Sequence, residues 1–336
     1  MEGIKIWRIL ASATSVLLLL SLAVYAVAPN TKYSSYEKKI KNADSPSVDG
    51  HPFPDEKSIS LLGKFFVTYT DQNNFREFAE AHLIQNAFCF PKIKKILEIT
   101  PRLIDTKHVI ENIFSSDQTM AGADWNSIRL EVGPDYNWKA VLSKTIPSIK
   151  ELMEKDICPY PHELTHLFLR NLPLYGWLEE GLAEYVQYQI GDRNKSDIEK
   201  ICLPQAFCEP YQCLHEGNDP TDYENLGLYP TILIKGAPVL ENRNRMYYTG
   251  MCFWHEIETT YGNKKLKRVM KQLVKERRKN NSQEAIAKRN CSRTIPIIEN
   301  GLGKKISQEL LEKYGLTRNT TAAYGEYYKD YCPSGQ

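Results

Sequence analysis

The chain predicts an α+β fold preceded by one membrane-spanning helix. Three observations carry this reading. Short β-branched and aromatic runs, Phe65–Tyr69, His108–Phe114 and Ile128–Val132, fall in the first half and have the length and composition of strands. From Phe75 to about Leu97 the apolar residues recur at three and four, the period of a helix. Ahead of both stands an uncharged run from Ile9 to Ala28.

That run follows Lys5 and Arg8, and about 20 apolar residues suffice to cross a bilayer. Ala26-Val27-Ala28 offers a small-x-small cleavage site, but Pro29 follows it and the run exceeds a signal-peptide core. Residues 1–28 therefore read as an uncleaved single-pass signal anchor in the cell membrane, with secretion after cleavage as the alternative. Residues 29–57 are polar and aperiodic, the pattern of a linker. After the first strand, Phe75 to Leu97 reads as a helix interrupted near Pro91, with His82 on its surface. The strand Ile128–Val132 ends at Gly133-Pro134, and a helix from Pro147 to Ile157 ends at Cys158-Pro159-Tyr160-Pro161. Residues 58–190 then form an N-terminal lobe, 191–245 a Cys-rich insertion, and 246–336 a C-terminal helical lobe. In the last of these, Lys264–Lys279 reads as a solvated basic helix face, and Ile306–Tyr314 as a short closing helix.

Composition excludes some classes. The 43 Lys and Arg against 41 Asp and Glu leave a net charge of +2, without the basic excess of a nucleic-acid binder. The eight cysteines form no Cys-x-x-Cys pair, and Asn194, Asn280, Asn290 and Asn319 each head an Asn-x-Ser/Thr sequon. An even cysteine set with sequons points to an oxidising exterior, hence to disulfide bonds and a glycoprotein. Lysines flank the apolar run on both sides and do not fix its orientation; the cysteines and sequons place the folded part outside the cytoplasm.

The chemistry concentrates between Pro161 and Tyr185. His162-Glu163-Leu164-Thr165-His166 is a His-Glu-x-x-His motif. On a helix its two histidines share one face and can offer two nitrogens to one metal ion, with Glu163 beside it. A catalytic zinc site needs a third protein ligand and an open position. Glu179, Glu180 and Glu184 are the candidates. Glu179 is turned about 100° from Glu180, so both cannot face one ion. Trp177, Glu180 and Glu184 share a face, which leaves Glu180 and Glu184 both open. Gly181 predicts a close approach to the histidine helix just beside Glu180.

The segment Trp177-Leu178-Glu179-Glu180-Gly181-Leu182-Ala183-Glu184-Tyr185, set behind the histidine motif, resembles the gluzincin zinc metallopeptidases of the peptidase-MA-like group, whose second helix reads Trp-Leu-x-Glu-Gly-x-Ala-x-Tyr. A weaker similarity runs from Tyr247 to Gly262. The resemblance implies a small mixed sheet with an edge strand packed on the His-Glu-x-x-His helix, followed by a mainly helical lobe. It implies one Zn²⁺ held by His162, His166 and Glu180, with Glu163 as general base on a zinc-bound water and Glu184 orienting a ligand histidine. Tyr247, with Tyr248 second, takes the position of an oxyanion donor. Ile128, Arg129, Leu130, Glu131 and Val132 take that of the edge strand along which a peptide substrate lies. Two departures stand out. Pro161 starts the helix directly before His162, so support for that ligand must come from elsewhere. Asp124-Trp125-Asn126 follows Gly122-Ala123 where aminopeptidase-like members carry an amine-binding glutamate, which favours an endopeptidase. Two other classes satisfy the same residues: a metal-binding but inactive surface module, and a structural membrane-anchored domain.

Overall fold

The computed structural model describes residues 32–44, 56–70, 75–101, 108–115, 120–123, 127–133, 138–170, 172–174, 176–191, 198–199, 201–202, 242–279 and 294–314. The Ile9–Ala28 run and residues 203–241, most of the expected insertion, lie outside them. Among the described residues no helix is long and apolar enough to cross a membrane.

Six strands, β1 (Ile40–Ala43), β2 (Glu56–Leu61), β3 (Phe65–Thr70), β4 (Val109–Ser115), β5 (Met120–Ala123) and β6 (Ser127–Val132), form one sheet in the order β1-β2-β3-β4-β6-β5. β1, β2 and β3 pair antiparallel, β3–β4 and β4–β6 parallel, and β5–β6 antiparallel, so the sheet is mixed. Register sets which side chains share a face. The row Ile59–Val67–Glu111–Ile128 runs across four strands, and directly opposed residues point to the same side. That side is the core, and α1 to α3 gather there: α1 (Lys32–Glu37), α2 (Phe75–Leu97) and α3 (Trp138–Glu154), with α2 packed on β2, β3 and β4. Glu111 is the polar member of the row. It is 2% exposed and is satisfied by His82 Nδ1 at 2.8 Å and by Asn86 Nδ2, which donates at 2.6 Å. His82 is thus a partner of a buried carboxylate rather than a surface residue.

Several sequence expectations need correction. Ile128–Val132 is not an edge: β6 is hydrogen-bonded to β4 on one side and to β5 on the other, and β5 ends the sheet on that side among the described residues. Residues 32–43 are not linker. Tyr33 is buried, Lys32 Nζ pairs with Asp156 at 3.0 Å, and β1 extends the sheet. Pro91 does not interrupt α2, and Pro147 does not begin α3, which starts at Trp138 and continues through it. A proline removes one intrahelical bond, and in α2 the burial of Ala87, Phe88, Phe90 and Ile93 around it outweighs that loss.

The remaining helices are α4 (His162–Leu169), α5 (Gly176–Ile190), α6 (Asn242–Tyr261), α7 (Asn263–Lys279), α8 (Thr294–Leu302) and α9 (Gln308–Lys313). α6 lies along α5, where Trp254 Nε1 donates to Leu178 O at 2.7 Å. α7 packs on α8, and Lys313 and Tyr314 both reach Glu256 of α6, at 2.6 and 2.9 Å. Disulfides join Cys89 to Cys158 and Cys202 to Cys252. Cys208, Cys213, Cys291 and Cys332 lie outside the described residues.

Candidate metal centre

α4 is a buried helix of eight residues, with Leu164, Thr165, His166, Leu167, Phe168 and Leu169 all in the interior. Pro161 is its N-cap and makes no side-chain cap bond, so His162 stands on the first, least supported turn. The missing support comes from the segment ahead of it. Cys158 is tied to Cys89 on α2, its N–H donates to Ile190 O at 2.8 Å, and Gln85 Nε2 on α2 donates to Tyr160 O at 3.3 Å. Thr165 Oγ1 donates back to Pro161 O at 2.8 Å. The histidine helix is held at its entrance by a covalent bridge and two neighbouring elements.

α5 brings the carboxylates. Glu180 Oε2 lies 3.2 Å from His162 Nε2 and 3.1 Å from His166 Nε2, and the two Nε2 atoms are 3.2 Å apart. Three electron-pair donors crowded into such a triangle are the arrangement that a small cation satisfies. A metal ion would be held there by two imidazole nitrogens and one carboxylate oxygen. His162, His166 and Glu180 therefore form a group that can hold a metal ion.

The far nitrogens are matched as well. His162 Nδ1 faces Glu184 Oε1 at 3.5 Å, and His166 Nδ1 faces Glu179 Oε1 at 3.5 Å. A carboxylate beside each Nδ1 favours the tautomer that carries its proton there and leaves Nε2 to face Glu180. Glu184 thus stands beside His162, one of the three residues that could hold an ion. Glu179 lies outside the His162–His166–Glu180 group, and the turn of about 100° that separates it from Glu180 points it at His166 Nδ1. The signal lies in the sequence: two histidines with two further carboxylates one helix away.

Electrostatics follow the same pattern. Burial disfavours the charged form of His166, but Glu180, Glu179 and Glu163 outweigh it and hold the imidazole well above its ordinary range. Burial pushes Glu180 up, and His166 and His162 overcome this to hold its carboxyl well below the usual carboxylate range. The centre is a preformed cluster of opposed charge.

Glu163 is half-buried on the first turn of α4, close enough for its charge to act on His166. Tyr247 lies on α6, but its side chain is outside the described residues; Tyr248 is partly buried against the core. Ile128–Val132 is interior to the sheet, while α4 touches both β5 and β6. Gly181 does permit a close helix crossing, but with α6 rather than with the histidine helix: its missing Cβ would fall on Gly250 and Met251. One step along a helix turns the chain by about 100°, so Glu180 faces α4 and Gly181 faces α6. The sequence matches no family model and no curated protein.

Proposed function

We propose that the protein is a zinc-dependent peptidase of the gluzincin type, acting outside the cytoplasm. The observation that carries this reading is the triangle of His162 Nε2, His166 Nε2 and Glu180 Oε2 with Glu163 on the same short helix. Two imidazoles and one carboxylate form a donor set suited to zinc in a hydrolytic site. A zinc ion bound there supplies Lewis acidity, lowering the pKa of water toward neutrality and polarising a carbonyl. Glu163 accepts a proton from the attacking water and returns it to the departing amine. Glu179 and Glu184 keep the imidazoles in the tautomer that presents Nε2. Tyr247 is the proposed oxyanion donor.

The correction to the sheet moves the proposed substrate track. β5, Met120–Ala123, ends the sheet on the side of α4 among the described residues, and it touches α4. An extended peptide can add to that edge by main-chain hydrogen bonds and lie across the mouth of the metal centre. Such binding reads backbone rather than a terminal amine, in keeping with an endopeptidase. Both bridges, Cys89–Cys158 and Cys202–Cys252, suit an oxidising compartment.

The test is incubation of the zinc-loaded full chain with an unbiased peptide library, with and without a chelator. Chelator-sensitive cleavage within peptides is expected. Equal product profiles in both arms, with zinc shown to be bound in the untreated one, would leave a metal site without this chemistry.

A further inference from the structure

α7 opens with Asn263-Lys264-Lys265 and closes on Glu276-Arg277-Arg278-Lys279, and from sequence its charges read as a solvated face. Arg277 departs from that. It is 5% exposed, and its guanidinium turns onto main-chain carbonyls. Nη1 donates to Phe168 O at 3.2 Å and to Arg170 O at 3.3 Å, and Nη2 donates to Thr100 O at 3.3 Å. Phe168 is in the last turn of α4, and Arg170 is its C-cap. Carbonyls at this end of a helix have no intrahelical partner, and a cation there also meets the negative end of the helix dipole. The neighbouring carbonyl, His166 O, accepts from Arg170 N–H at 2.9 Å, so the capped turn is the one that carries the second histidine.

The need for such an anchor arises from the length of α4. Two turns gain little from helix propagation, and the N-cap contributes no side-chain bond. His166 meets Glu180 across two separate helices, so a slide or rotation of α4 by a fraction of an ångström changes the Nε2–Oε2 spacing directly. At the entrance, the Cys89–Cys158 bridge and Gln85 restrain the chain. At the exit, Arg277 ties α4 to α7 and to the segment following α2.

We propose that Arg277 is a positioning residue of the metal centre: its buried guanidinium sets the position and rotation of α4 and so holds His166 in register with Glu180. This rests on the reading of His162, His166 and Glu180 as metal ligands. The planar fork matters, because one nitrogen reaches two carbonyls of the α4 terminus while the other reaches Thr100. A lysine ammonium is a single point donor and cannot span both.

The experiment uses the full chain as wild type, Arg277→Lys, Arg277→Gln and Arg277→Ala. Zn²⁺ affinity is read by competition with a chromophoric chelator, Co²⁺ ligand geometry by the visible spectrum, and stability by urea unfolding of the metal-free proteins. The variants are expected to bind Zn²⁺ about 10-fold more weakly or worse, the loss typical when a group supporting a metal ligand is removed. Arg277→Gln should be weaker than Arg277→Lys, and the Co²⁺ spectrum should change. Guanidinium ion at millimolar concentration should return Arg277→Ala toward wild-type affinity and spectrum. A merely structural arginine would lower the urea midpoint and leave Zn²⁺ affinity and Co²⁺ spectrum of the folded protein unchanged; that result overturns the proposal. If the Gln and Ala variants do not fold, Arg277→Lys decides by the same two readouts. A wild-type chain that binds neither ion removes the metal-centre reading and this proposal with it, whereas unchanged binding in the variants removes only the role of Arg277.

Discussion

Replacing Gly181 by alanine sets two calculable effects against each other. In an open helix the change would stabilise by about 1 kcal/mol, because alanine is the better helix former. Gly181 is not in the open. A Cβ built there would overlap the Cα and carbonyl carbon of Gly250 and lie 2.5 Å from Met251 N, whereas ordinary van der Waals contact begins near 3.4 Å. The obstruction is backbone, so no rotamer can relieve it, and α5 and α6 must part by about 1 Å in a close-packed interior. Overpacking of this kind costs ~1–3 kcal/mol, and parting the helices also loosens the buried contacts of Met251, Cys252 and Trp254. The upper end applies, giving a net destabilisation of about 2 kcal/mol after the propensity gain is subtracted. Urea unfolding followed by tryptophan fluorescence should show a lower midpoint at unchanged slope. Because Glu180 adjoins the crossing, Zn²⁺ affinity should fall with it. A Gly181→Ala protein as stable as wild type, or more so, would refute the close crossing and the packing argument together.

Three further outcomes are expected. Glu180→Ala should lose metal binding altogether, while Glu184→Ala and Glu179→Ala should each retain zinc with about 10–100-fold weaker affinity; zinc titration ranks them, and metal loss in Glu184→Ala with retention in Glu180→Ala would make Glu184 the ligand. Since His166 is held well above its ordinary range in the metal-free protein, the entering ion displaces a proton. Apparent Zn²⁺ affinity should therefore fall by about tenfold per pH unit below that raised pKa and level off above it, as calorimetry at several pH values would read; a flat profile across pH 5–8 contradicts this. Reduction of Cys89–Cys158, which closes a separation of 69 residues, should remove about 4 kcal/mol in the chain-entropy picture, seen as a lower urea midpoint with reductant; eight free thiols in protein taken from its native compartment would defeat the oxidised reading.

The residues legible in sequence are those whose periodicity and chemistry agree. Phe65–Tyr69 and Ile128–Val132 declare themselves as strands because β-branched and aromatic side chains alternate there, and His162 and His166 declare the metal face by their spacing alone. Met120-Ala121-Gly122-Ala123 is silent for the opposite reason. These side chains are neither β-branched nor aromatic and carry no strand signal, and the edge role expected of Ile128–Val132 rests on the family resemblance alone. β2 is silent because its apolar row holds only Ile59 and Leu61, with the charged Lys57 at the third position of that row. Glu111 and Arg277 are charged residues whose burial is tolerated only through partners distant in sequence, His82 and Asn86 for one and the carbonyls of Thr100, Phe168 and Arg170 for the other. Such pairings are made by tertiary contact, and no local pattern announces them.

Glu163→Gln separates metal binding from proton transfer in the proposed zinc centre. The amide keeps the shape of the side chain and lies outside the ligand triangle, but it cannot accept a proton. Zinc content and peptide turnover should be measured on the same preparation, beside wild type. The account predicts one zinc per chain in both proteins and no detectable turnover in the variant. A zinc-loaded Glu163→Gln protein that cleaves peptides at the wild-type rate would contradict it.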